Sequence, residues 1–283
     1  MFDPAVGHGH NMRLFARSRP GARSASGTPG ARGTRGALTR HWPVRAVLAV
    51  ALSVAAGALS GCDAWPFADD RPGTASEFPR ANRPVAPTVS LRWADEDTRD
   101  RLGEADDVMN QSRIAPGMTV ADIGAGDGYY TVRLAERVGA SGRVLAQDIM
   151  PRAIEQLGTR INRDRLDNVA IKLGAADDPR LPANSFDRVL MVHMYHEIEE
   201  PYAFLWRLWP ALRGRGEVVV VDGNRPIAQH GTPLALLICE FQAVGYRPVE
   251  FIEKPNAGGY LARFVRASAR PAPGAIRVCA DVS

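Results

Sequence analysis

Asp122-Ile123-Gly124-Ala125-Gly126-Asp127-Gly128 follows the apolar residues from Thr119 and leads straight into a helical pattern over Tyr130 to Val138. A strand that passes through glycines into a helix is a ligand-binding turn of α/β proteins. The glycines let the backbone bend sharply and let a ligand approach where side chains would collide. The loop predicts a doubly wound α/β fold with its ligand at the carboxyl end of the strand.

The flanking sequence repeats that alternation. Thr119 to Ile123, Arg143 to Asp148, Val169 to Leu173, Arg188 to Val192 and Glu217 to Val221 read as strands, with helices between them as in a mostly parallel sheet. Val189-Leu190-Met191-Val192 and Val218-Val219-Val220-Val221 are continuously apolar, as central strands covered on both faces would be. Helices are expected over Tyr130 to Val138, Pro151 to Arg160, Pro201 to Leu212 and Pro233 to Val244, the last capped by Thr232. Pro248 to Ile252 and Tyr260 to Arg266 flank a turn-rich segment and predict an antiparallel hairpin at the sheet edge. With the five earlier strands they make seven.

Loop chemistry narrows the ligand. The nicotinamide fingerprint is GxGxxG, whereas the spacing here is GxGxG. Asp122, two residues before the first glycine, would repel a pyrophosphate and attract a cation. S-adenosylmethionine has no phosphate and carries an ammonium and a sulfonium. Asp148 ends the next strand, where a carboxylate can accept both hydroxyls of a ribose. The alternatives are a glycine turn that is only a tight connection, and Asp148 as a cap for the helix from Pro151.

MTVADIGAGDGYYTVRLA (118–135), GRVLAQDI (142–149), LGAADDPRLPANSFDRVLMVHMYHE (173–197) and LRGRGEVVVVD (212–222) resemble, in order and spacing, the successive motifs of class I S-adenosylmethionine-dependent methyltransferases. The resemblance spans Leu91 to Arg266. It implies a seven-stranded Rossmann-like sheet with an antiparallel edge hairpin. Asp122, Gly124, Gly126 and Gly128 would hold the methionine moiety, Asp148 the ribose, and Ala176 with Asp177 the adenine. Many relatives have aspartate in place of Ala175 to bind the adenine amino group, a task Asp177 could take over.

Val192-His193-Met194-Tyr195-His196-Glu197 concentrates polar side chains at the end of the fourth strand, facing the methyl group in this family. His193 would line the methionine end of the cofactor. Tyr195, His196 and Glu197 would orient an acceptor or take its proton, a task that suits histidine near neutral pH. The alternative is a turn stabilised by pairing of His196 with Glu197. HxxHE matches neither HExxH nor HxxEH, so no metal is expected unless a third ligand converges on the histidines. His230 and Glu240 follow the fifth strand as substrate candidates, or as a solvated loop histidine and a surface acid. Tyr129, Tyr130 and Tyr195 could roof the pocket, with Tyr130 against the cofactor; the alternative for Tyr129 and Tyr130 is packing of the first helix. Asp95 to Arg113 is the expected lid. The chain lacks the Asn/Asp-Pro-Pro-aromatic sequence of DNA amino-methyltransferases, and a small-molecule acceptor is expected.

The amino-terminal residues are a different material. Residues 1–61 hold eight arginines and one acid, Asp3, so a net charge of +4 for the whole chain becomes −3 from Cys62 onward, with 27 basic and 30 acidic side chains. The folded part therefore has no basic excess with which to neutralise a nucleic-acid backbone, and no nucleic-acid partner is expected. Ala46 to Leu59 has the size of a signal-peptide core, short of the ~20 residues of a membrane span. Leu59-Ser60-Gly61-Cys62 resembles the lipobox of bacterial lipoproteins, in which the cysteine is lipidated.

The expected organisation is a disordered leader and signal over 1–61, a lipidated Cys62 with a Pro-rich tether over 62–90, a methyltransferase domain over 91–268 and a tail over 269–283. The chain would then sit on the periplasmic side of the envelope through a lipid anchor, or in the cytoplasm if the leader is not processed. S-adenosylmethionine is made in the cytoplasm, which keeps open a second reading: an inactive methyltransferase-fold binding or sensing lipoprotein. Cys239 and Cys279 could pair, although Cys239 reads as a small buried hydrophobe in a helix.

Overall fold

Two continuously apolar runs become the centre of a seven-stranded sheet of order β3-β2-β1-β4-β5-β7-β6. The computed structural model describes residues 71–88, 95–254, 259–267 and 269–280. The expected leader, signal and lipidated Cys62 lie outside the described residues. The strands are β1 (Thr119–Ile123), β2 (Arg143–Asp148), β3 (Val169–Leu173), β4 (Phe186–Val192), β5 (Leu212–Asp222), β6 (Tyr246–Lys254) and β7 (Gly259–Arg266). β1 to β5 are parallel, and β7 pairs antiparallel with both β5 and β6. This is the expected doubly wound sheet with its edge hairpin.

Period-two alternation within the strands sorts their side chains onto two covered faces. Val120, Val144, Leu190 and Val219 pack with α2 (Glu104–Gln111) and α3 (Tyr129–Val138), and Ala146 packs with Leu157 of α4 (Pro151–Asp164). Ala121, Val189, Met191, Val218 and Val220 face the other way, against α5 (Pro201–Leu208) and α6 (Leu234–Ala243). The short α1 (Glu96–Arg101) precedes α2. The helix expected to run to Leu212 stops at Leu208, and Trp209–Ala211 forms a 3-10 turn that contains Pro210; proline cannot donate the next helical hydrogen bond. Thr232 does not cap α6. Its hydroxyl donates to Asp222 instead, and the Leu234 N–H is met by Asn224 Oδ1 at 3.0 Å.

Both expected edges of the domain need correction. Residues 71–88, read as tether, form a strap packed on the α5–α6 face, where Ala75 and Phe78 enter the core. Arg71 donates through Nε and Nη2 to Glu200 at 2.6 Å each, and Arg83 Nε donates to Glu240 at 2.8 Å. The strap has no apolar period because single side chains plug single gaps, and its arginines read as solvated until their buried partners are in place. The tail is also part of the fold: Ile276 is buried, and Cys279 is bonded to Cys239 of α6. Cys239 is thus a disulfide cysteine rather than a free hydrophobe.

Candidate functional site

Parallel strands deliver their carboxyl ends to one edge of the sheet, and a cleft of about 380 Å³ opens there. β1 ends at Asp122, which is buried; its carboxylate accepts a hydrogen bond from Thr131 Oγ1 at 2.6 Å. Burial pushes its pKa up to about 6. Gly124 and Gly128 both take positive φ, and a Cβ on Gly128 would meet Leu157 Cδ1 at 2.6 Å. Gly128 therefore serves the packing of α3 on α4, whereas Gly124, Ala125, Gly126 and Asp127 line the cleft. Asp148, at the end of β2, is fixed by two backbone donors: Gly126 N to Oδ2 at 2.9 Å and Met150 N to Oδ1 at 2.8 Å.

The segment Asp95 to Arg113, expected as a lid, forms α1 and α2, and Asp95, Glu96 and Arg99 line the cleft. Arg99 lies over the Tyr129 ring, 3.7 Å from its centroid, and donates to Glu104 at 2.6 Å. Tyr130 lines the cleft and its hydroxyl donates to the same carboxylate at 2.9 Å. Burial opposes ionisation of Glu104, yet Arg99 holds its pKa below the usual carboxylate range. His193 also lines the cleft, in a left-handed conformation at φ 55°. Burial drives its pKa down to about 4, so it is neutral at physiological pH.

Several expected roles are displaced. Ala176 lines the cleft with Ala175, but Asp177 does not. Its carboxylate is taken by Arg207 and by Thr74 of the strap; burial works to raise its pKa, and those two donors carry it below the usual value. The Asp177 carboxylate, expected at the adenine, is thus engaged by the strap and α5 instead of lining the cleft. Tyr195 is fully buried and turned away, donating to Glu240 Oε2 at 2.7 Å. Glu240, read as a surface acid or substrate contact, is 1% exposed and is held by Tyr195 and Arg83. Of the proposed catalytic trio only Glu197 lines the cleft.

His196 does not pair with Glu197 in the way the turn-stabilising alternative supposed: its Nδ1 faces Asp222, 3.0 and 3.1 Å from the two carboxylate oxygens. His230 sits near His196, with ring centroids 5.6 Å apart, and is not a wall of the cleft.

Sequence reasoning missed Asp222, Gln147 and Thr88. Asp222 closes the quoted LRGRGEVVVVD motif, and strand-end position was the signal that could have found it. Gln147 precedes the ribose acid and lines the cleft with a buried Nε2 that has no hydrogen-bond partner. Thr88 reaches the cleft from the strap, and nothing in its local sequence marks it. Among the described residues, Asp95, Glu96, Asp122, Asp127, Asp148, Glu197 and Glu199 line the cleft together with Arg99, and Glu96 is paired with Arg133 and Arg160 outside it.

Residues 120–216, from β1 into β5, match the model of a methyltransferase domain. The chain is 25% identical over 128 residues to a demethylmenaquinone methyltransferase of Geobacillus sp. (strain WCH70), covering 45% of this chain and 55% of that protein. It is 31% identical over 111 residues to a protein-L-isoaspartate O-methyltransferase of Methanothrix thermoacetophila, covering 39% of this chain and 50% of that one. It thus spans about half the length of these curated relatives. A S-adenosylmethionine-dependent methyltransferase from Aquifex aeolicus superposes with a TM-score of 0.52 at 22% identity, over 60% of this chain and 97% of that one. The class defined by sheet, loop and domain match is the class I methyltransferase fold.

Proposed function

We propose that the chain is a S-adenosylmethionine-dependent methyltransferase acting on a small-molecule acceptor. The observation that carries this reading is the acidity of the cleft around the glycine loop, where Asp122, Asp127 and Asp148 line it among the described residues. That field repels the pyrophosphate of a dinucleotide and favours a ligand bearing an ammonium and a sulfonium. The donor set fits such a cofactor. Asp148, already oriented by two N–H groups, would hold the ribose hydroxyls. Asp122 and the open backbone of Gly124 and Gly126 would receive the methionine end, and Ala175 with Ala176 would flank the base.

The cofactor, when bound, supplies a methyl group already activated for in-line displacement. The protein's part is then mainly positioning. Met194, Ile198 and Phe204 give the acceptor end an apolar wall, while Glu197 lies where it could take a proton from an acceptor hydroxyl. Neutral His193 can accept or donate a hydrogen bond without adding charge.

We further propose that the domain is carried outside the cytoplasm on a chain lipidated at Cys62. The Cys239–Cys279 disulfide supports this, because such bonds persist in oxidising compartments. A fusion of residues 1–70 to a reporter active only after export should give signal; a silent fusion would overturn export.

Calorimetric titration of the full chain tests the cofactor. S-adenosylmethionine should bind and NADH should not, and Asp148→Ala should weaken binding by at least ~10-fold through loss of charge-assisted hydrogen bonds. Absence of S-adenosylmethionine binding would sink the reading.

A further inference from the structure

Beside the acceptor end of the cleft, His196, Glu197 and His230 each bring one ligand-type atom into a space no more than 4.8 Å across. We propose that these three side chains hold a divalent transition metal of the zinc type. Metal binding does not depend on the cofactor, and with metal bound Glu197 serves as a ligand in place of the proton-accepting role given to it above.

The case begins with Asp222. It is fully buried at the end of β5 and fixed by the Thr232 hydroxyl at 2.7 Å and the Gly223 N–H at 2.8 Å. With the Asp222 carboxylate as acceptor, His196 Nδ1 carries the proton, and in the neutral ring Nε2 then presents a lone pair. That Nε2 is buried in a side chain with no exposed surface and has no hydrogen-bond partner. Such an orphan is costly unless something takes up its lone pair. A carboxylate behind a histidine, turning the second nitrogen outward, is the arrangement that orients metal-ligating histidines.

His230 completes the case from the opposite side. It stands in a left-handed conformation at φ 55°, and its carbonyl is anchored by Arg225 Nη2 at 2.9 Å. Its buried Nδ1 likewise has no hydrogen-bond partner. Glu197, from the wall of the cleft, supplies the oxygen. Two imidazoles and one carboxylate are a borderline donor set that suits zinc and leaves a fourth position open. Tetrahedral bonds near 2.1 Å set ligand atoms about 3.4 Å apart, so the three side chains must close from a spread of at most 4.8 Å. Because Glu197 belongs to the wall, the open position would face the cleft, where an acceptor's oxygen or sulfur could reach it.

The full chain, freed of metal by a chelator, should be titrated with zinc chloride against a chromophoric indicator. His8 and His10 in the leader are replaced by alanine in every sample so that they add no background. One zinc per chain is expected, bound more tightly than about 10 µM. His230→Ala, a loop change that leaves the core intact, should weaken binding about 100-fold, and Asp222→Asn by about 10- to 100-fold. Cobalt(II) should give a visible absorption band that His230→Ala abolishes. Zinc binding weaker than about 10 µM, or unchanged in His230→Ala, would overturn the site. Either result would leave the methyltransferase reading standing, since no cofactor enters the measurement.

Discussion

Asp122 works against folding in order to be ready for a ligand. Its pKa, about 6 in the folded chain against an ordinary 3.8, means that folding disfavours the ionised form. Its contribution to stability is therefore fully present below about pH 3.8 and lost as pH rises through 6. Asp122→Asn, which can keep the Thr131 hydrogen bond, should stabilise the protein by roughly 3 kcal/mol at pH 7.5. The gain should fade below pH 6 and vanish near pH 4 in urea unfolding. The same variant should lose S-adenosylmethionine affinity, and the unmodified chain should bind progressively more weakly as pH falls below 6.

This residue, with Gly124, Gly126 and Asp148, was legible because strand end, acid and glycine are adjacent in sequence. Asp177, Tyr195 and Glu240 were misassigned because their partners, Thr74, Arg207 and Arg83, come from far along the chain. No local pattern announces such a partner.

At the scale of elements, the strap explains most of what the sequence left unread. The sheet was legible strand by strand, since period-two burial and the runs in β4 and β5 are local. The strap carries no period, and its worth lies in buried pairs. Arg83 and Glu240 are each only 1% exposed in their side chains, so removing one leaves a buried charge alone. Arg83→Met should lower stability by about 3–5 kcal/mol in urea unfolding. Adding Glu240→Gln to that variant should restore part of the loss by removing the stranded charge. A chain begun at Leu91, the boundary suggested by sequence, would strand both Glu200 and Glu240.

For the whole molecule, the described unit is closed by its ends. The disulfide joins α6 to the last described segment across a separation of 40 residues. Cys279→Ala, or reduction, should cost about 2–4 kcal/mol and lower the melting temperature measured with and without reductant. The sequence offered the two cysteines as a possible pair but not the decision, because pairing depends on where α6 and the tail meet in space.

The small apolar cluster of Ala86, Ile227, Leu236 and Cys279 sets an order of events in time. It unites Ala86 of the strap with Cys279, almost 200 residues further along the chain. The strap's Ala86 N–H also donates to the His196 carbonyl at 3.0 Å. Contacts of such long sequence separation form late in folding, so a nascent chain can lay down the glycine loop and central strands well before this wall of the site is sealed. The wall of the site that includes Ala86 and Cys279 therefore waits for contacts between segments far apart in the chain.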